Sequence, residues 1–135
     1  MRWNGETALP APIVLPGGTN ITLPSRGSHD IPCRYFAPIT YTPHSPATSI
    51  APKGIFMHIH GGGWVLFDEK STDTLLNFYA EQTGCLVISV GYRLAPEDPW
   101  PKGVEDVEDA AQYLVENGRD KGWGDLRYIG GEVGD

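Results

Sequence analysis

Two short apolar runs, each stopped by glycine, constrain this chain more than anything else in it. Ile55-Phe56-Met57-His58-Ile59-His60 ends at Gly61-Gly62-Gly63, and Cys85-Leu86-Val87-Ile88-Ser89-Val90 ends at Gly91. Neither run alternates polar with apolar residues, so neither suits a sheet with one wet face. Continuous runs of this length are what strands buried on both faces of a parallel sheet require. Parallel neighbours need a crossover, and the segment between the runs supplies one. Leu75, Leu76, Tyr79 and Ala80 mark one helical face, Ser71 is placed to cap the helix and Gly84 to end it. The prediction is one βαβ unit.

The pattern continues downstream. Val104, Val107, Ala111 and Leu114 lie on one face of a second predicted helix that stops at Gly118, and Leu126-Arg127-Tyr128-Ile129 predicts a third strand of the series. The first turns of that helix carry Glu105, Asp106, Glu108 and Asp109. Acids there match the positive end of the helix macrodipole, which favours a solvated face over a metal site. Upstream, Asn20–Leu23 and Ile31–Phe36 predict short strands around the turn Ser25–Asp30, with Pro32 demoting the second to an edge or a strand start. Pro38 to Pro52 is rich in Pro, Ser and Thr and reads as a surface connection. The expected class is α/β, a mostly parallel sheet flanked by helices over residues 31–135. Residues 1–30 are expected to form either a cap or a disordered segment, with Trp3 and Pro10 to Pro16 as the cap candidates.

Composition removes several classes of function. Ten Lys and Arg face 17 Asp and Glu in 135 residues, a formal charge of −7, and the positive residues are scattered singly. Neither a nucleic-acid footprint nor an anionic membrane surface would select such a chain. No stretch approaches the roughly 20 apolar residues of a membrane span, and the first residues lack the apolar run of a signal peptide. A cytoplasmic protein is expected. Cys33 and Cys85 have no metal or CxxC spacing and read as small buried hydrophobes. No cofactor or metal is expected either. Gly61-Gly62-Gly63-Trp64-Val65-Leu66 fits neither phosphate-binding glycine motif, and His58 with His60 lacks the further ligands zinc needs.

The residues with chemistry in them are His60-Gly61-Gly62-Gly63-Trp64, directly after a buried strand. Three glycines leave the backbone uncovered, so its N–H groups can face a small anion. A developing oxyanion needs such preorganised donors, and losing one costs about 2.7–4 kcal/mol of transition-state stabilisation. The same tetrad also suits a tight turn with His60 satisfied by backbone. By physics alone, Gly91-Tyr92-Arg93-Leu94-Ala95-Pro96-Glu97 is a structural loop with a buried aromatic and a charged pair.

Together, HGGG after one strand and YRLAPE after the next resemble the hormone-sensitive lipase family of α/β-hydrolases. The resemblance runs from about Ile31 to Gly134 and is most specific from Ile55 to Gly118. It implies a carboxylic ester hydrolase of the esterase or lipase type acting on small-molecule esters. Gly62 and Gly63 would be the oxyanion-hole donors, with Gly61 in the same turn and His60 holding the loop. Tyr92, Arg93, Pro96 and Glu97 would be architectural, and Leu126–Ile129 would lead into the nucleophile elbow.

The elbow is where the sequence departs from that family. Its motif is GxSxG, with the N–H after the serine completing the oxyanion hole. The matching stretch is Gly131-Glu132-Val133-Gly134-Asp135. Val133 stands where the serine is expected, Gly134 would be the third donor, and Asp135 replaces the last glycine. The acid and base of the triad follow the serine in this family, whereas His29, His44, His58 and His60 all precede Val133. The resemblance therefore implies an N-terminal portion of a hydrolase fold, inactive as it stands. The alternative is a non-catalytic relative or a fragment of a gene prediction. Val133-Gly134-Asp135 is also what an intron opening GTGGGTGA would encode if read in frame. A chain of this extent is expected to leave its last strand as an unpaired edge with one face uncovered, and so to be poorly soluble or molten.

Overall fold

The computed structural model describes residues 12–41 and 49–132. In chain order the elements are β1 (Thr19–Pro24), β2 (Asp30–Phe36), β3 (Ile55–Ile59), α1 (Asp73–Thr83), β4 (Leu86–Val90), α2 (Lys102–Asn117) and β5 (Leu126–Gly131). The strands form one sheet in the order β1-β2-β4-β3-β5. β3, β4 and β5 run parallel, and β2 joins β4 antiparallel, with β1 antiparallel to it on the outside. The predicted βαβ unit is β3-α1-β4.

Burial explains the composition of the central strands. Every residue of β4 is buried, because a helix lies on each face. On one face α1 covers Phe36, Val87 and Phe56 with Leu76 and Ala80; on the other, α2 covers Ile55, Met57, Ile88 and Val90 with Ala110 and Leu114. Cys33 and Cys85 are buried free thiols, and burial pushes Cys33 up to about 12.

Four expectations need correction. β2 is an interior strand, not an edge. Pro32 is tolerated because its ladder with β4 begins one residue later, at Cys33↔Val90, while the Pro32 carbonyl accepts from Gly91 N–H at 2.7 Å. Ser71 is not the cap of α1. Thr72 occupies that position without a side-chain cap bond, and Ser71 Oγ instead donates to Asp68 Oδ1 at 3.1 Å. Gly84 does end the helix, left-handed and donating to the Ala80 carbonyl. On the predicted face of α2, Leu114 is buried and Val107 and Ala111 pack against the core, but Val104 is exposed, and Gly103, Asp106 and Ala110 are buried beside them. Asp106 is consequently interior rather than solvated, as an ion pair described below explains.

The N-terminal stretch is partly built into the sheet, since β1 lies within residues 1–30. Leu15 N–H donates to Asp73 Oδ2 at 2.9 Å and its carbonyl accepts from Arg34 Nη2 at 2.9 Å, which fastens the segment before β1 to α1 and β2. Trp3, Pro10 and much of the Pro38 to Pro52 connection lie outside the described residues. At the far edge β5 exposes Tyr128 and Ile129, so among the described strands the uncovered apolar surface concentrates there rather than over the centre of the sheet. No helix among the described residues is long and apolar enough to cross a membrane.

Candidate active site

The C-terminal ends of β3 and β4 bring the two glycine-stopped loops against each other. His60 follows β3 directly, and its ring stacks on Tyr92 with centroids 4.3 Å apart and an interplanar angle of 9°. Tyr92 Oη donates to the His60 carbonyl at 2.7 Å, and His60 Nδ1 donates to the Gly61 carbonyl at 2.8 Å. Ala95 N–H donates to the Trp64 carbonyl at 2.9 Å, so the second loop holds the first at both ends. Tyr92 is buried, and that burial pushes its phenol up, keeping it a neutral donor.

Between those two clamps the glycines turn sharply. The Gly62 carbonyl accepts from Val65 and Leu66 N–H at 3.2 and 3.0 Å. Gly62 has φ 120° and Gly63 φ 63°, and a Cβ on Gly62 would meet the Leu66 carbonyl and the Phe67 ring. Trp64 and Phe67 are also left-handed, at φ 68° and 72°. Non-glycine residues hold that conformation only where surrounding contacts impose it. Among the described residues the N–H groups of Gly61, Gly62 and Gly63 have no acceptor. A loop of unspent donors held from behind by aromatic and backbone contacts is able to receive a small anion.

A cavity of about 190 Å³ lies against this loop, lined by His60, Gly61, Phe67, Ser71, Thr72 and Glu132. Glu132 reaches it because its N–H donates to the Ile59 carbonyl at 3.1 Å, continuing the β5–β3 pairing by one residue. A second, mostly apolar cavity of about 180 Å³ sits beside Trp64, Trp100 and Val104. The structure thus brings His60, Gly61, Gly62 and Gly63 together at one end of the sheet. Val133 and Gly134 lie outside the described residues.

The acidic helix contributes a group that the sequence reading assigned to solvent. Asp106 is 1% exposed. Its carboxylate accepts from Arg93 Nε at 3.0 Å, Arg93 Nη2 at 3.0 Å, Arg93 N–H at 2.9 Å and His29 Nε2 at 2.8 Å. Burial alone would raise this carboxyl, but the bonds from Arg93 and His29 outweigh it and hold the group below the usual carboxylate range. Arg93 therefore pairs with Asp106, while Glu97 is exposed. The spacing of Asp106 from Gly103 and Ala110 was the available signal. Asp109 and Glu108 pair with Arg26 at the surface. His58 and His60 are both buried, and the described residues contain no group of three or more ligating side chains able to hold a metal.

Comparison with known proteins fits this geometry. A family model described as alpha/beta hydrolase fold matches residues 56–131. An AB hydrolase superfamily protein of Schizosaccharomyces pombe is 36% identical over 104 residues, covering 73% of this chain and 28% of that protein. Ethyl acetate hydrolase of Pseudomonas putida is 35% identical over 98 residues, covering 73% of this chain and 29% of that enzyme. Among solved structures, a hyperthermophilic esterase from the archaeon Pyrobaculum calidifontis superposes with a TM-score of 0.69 at 32% identity, over 84% of this chain and 33% of the esterase. The chain spans under a third of the length of these relatives.

Proposed function

This chain belongs to the alpha/beta hydrolase fold family, and we propose that its site descends from a serine carboxylic ester hydrolase acting on small-molecule esters. The clamped glycine loop carries this reading. In it Gly62 and Gly63 N–H receive the oxyanion of the tetrahedral intermediate, Gly134 N–H is the third donor, and Gly61 allows the turn. His60 holds the loop through its stack on Tyr92 and its bond to Gly61. The ester would enter over Phe67, Thr72 and Glu132, which line the adjoining cavity.

The 135-residue chain itself supplies no nucleophile in this reading. Val133 occupies the serine position, and an isopropyl group has neither a proton to give up nor a nucleophilic atom. The working hydrolase would need Ser at that position, and the present chain would be a cytoplasmic product without turnover. Val133 also favours a second reading, a non-catalytic relative that keeps the loop as a binding feature.

Reading the genomic sequence across the Val133 codon separates the two. An in-frame continuation Ser-Ala-Gly after Glu132, once an intron is removed, and acid and histidine motifs beyond it, would support the esterase lineage. A continuous coding exon through Val133 with no splice donor would overturn it in favour of the non-catalytic reading.

A further inference from the structure

Among the described residues, the buried side-chain atoms without a hydrogen-bond partner lie on β3 and β4 and around the cavity beside the glycine loop. They are both ring nitrogens of His58, Nε2 of His60, Oγ1 of Thr72 and Oγ of Ser89. His58 and Ser89 are register partners on β3 and β4, and His60 and Thr72 line the cavity beside the glycine loop. His58 shares with Phe56 the sheet face covered by α1. Its ring is 2% exposed, and an imidazole buried without a partner is unfavourable.

One polar group is within reach. Glu132 Oε1 lies 3.6 Å from His58 Nε2, and Glu132 is otherwise tied to β3 through its N–H on the Ile59 carbonyl. A side-chain movement of a few tenths of an ångström brings the carboxylate to hydrogen-bond distance, because its own side chain is 40% exposed and free to adjust. We propose that His58 and Glu132 form a hydrogen-bonded pair that ties the chain leaving β5 to β3 and fixes the Glu132 side chain at the edge of the cavity beside the glycine loop.

What the pair does for the cavity rests on the ester-hydrolase reading above; the pairing does not. His58 Nε2–H donates and the Glu132 carboxylate accepts, so His58 positions the Glu132 side chain. Burial pushes the His58 imidazole below its usual range, Glu132 opposes that, and the neighbouring His60 adds to it. The other charges at this end of the α1 face are already engaged or set apart. Arg34 from β2 and Asp73 from α1 close on each other through bonds of 2.8 Å, and Glu69 is buried beneath Gly91. Ser89 from β4 and Thr72 before α1 are neutral.

The pair is tested by titrating 13C-labelled histidine in the full chain by NMR at low concentration, with His58→Gln used to assign the resonance. His58 is expected to titrate below an ordinary histidine, and Glu132→Gln to lower its midpoint further by about one pH unit, less than a fully buried pair would give. The glutamine keeps an acceptor, so exchange of the residue 132 amide should stay near wild type in Glu132→Gln. In Glu132→Ala it should speed up about tenfold while β4 amides are unchanged. An unchanged His58 midpoint in Glu132→Gln, or unchanged exchange in Glu132→Ala, overturns the pair. Neither readout involves turnover, so failure here leaves the esterase reading standing, and failure of that reading leaves the pair standing.

Discussion

Replacing Asp106 by Asn should destabilise the chain more than any other single charge removal on α2. The carboxylate accepts four hydrogen bonds from Arg93 and His29 while 1% exposed. Removing one member of a buried ion pair typically costs about 3–5 kcal/mol, since the partner charge stays behind. The Arg93 and His29 side chains are 26% and 30% exposed, so water recovers part of that, and about 2–3 kcal/mol is expected. Against a total of about 5–15 kcal/mol, that loss moves the urea midpoint down by roughly 1–2 M. The effect has a pH signature. The folded-state carboxyl titrates below its unfolded value, so its stabilisation is complete above about pH 4 and is lost as pH falls through the folded value. Asp106→Asn should lack this part of the acid limb, so mutant and wild type converge as pH falls through the folded value. Urea titrations from pH 7 to pH 2 measure both effects. An unchanged midpoint at pH 7, or a pH-independent difference between the two proteins, would refute the reasoning.

Two further perturbations probe the glycine loop. Tyr92→Phe keeps the stack on His60 but removes the donor to its buried carbonyl, so a loss of about 1 kcal/mol in urea unfolding is expected, with Tyr92→Ala at least twice as costly. No loss in Tyr92→Phe would show that the hydroxyl bond contributes nothing, and equal losses in the two variants that the ring stack contributes nothing. Gly62→Ala puts a methyl group against the Leu66 carbonyl at a φ of 120°. It should cost about 1–3 kcal/mol and speed exchange of the Leu66 amide. A neutral effect would mean that the turn is not held as described.

How much of this was legible follows from the range of each interaction. β3, β4 and the helix between them are visible because a strand buried on both faces leaves a continuous apolar run and a crossover helix leaves a periodic one. The glycine loop is visible as three glycines after a buried strand, but the tetrad alone also suits a tight turn, and only its combination with Tyr92–Glu97 after the next strand marks it. The attachment of β1 and β2 to β4 is not local. A short extended segment carries no mark of its partner, and Pro32 misleads because its missing donor matters only where a ladder would have used it. On α2 the positions of Val107, Ala111 and Leu114 are legible, but Asp106 occupies a buried position that hydrophobic counting assigns to solvent, and its partner Arg93 lies on a different loop. Tyr92 as the clamp on His60, and Glu132 as the neighbour of His58, depend on two strand ends meeting in space. Residue order alone does not reveal such contacts.

The most direct test of the proposed function, an oxyanion-type loop with valine at the nucleophile position, is incubation of the folded protein with a fluorophosphonate probe followed by intact-mass and peptide mass spectrometry. No adduct is expected beyond that of the heat-unfolded chain, because Val133 has no atom able to attack phosphorus. A stoichiometric adduct on any residue of the folded chain, lost on heating, would contradict the claim.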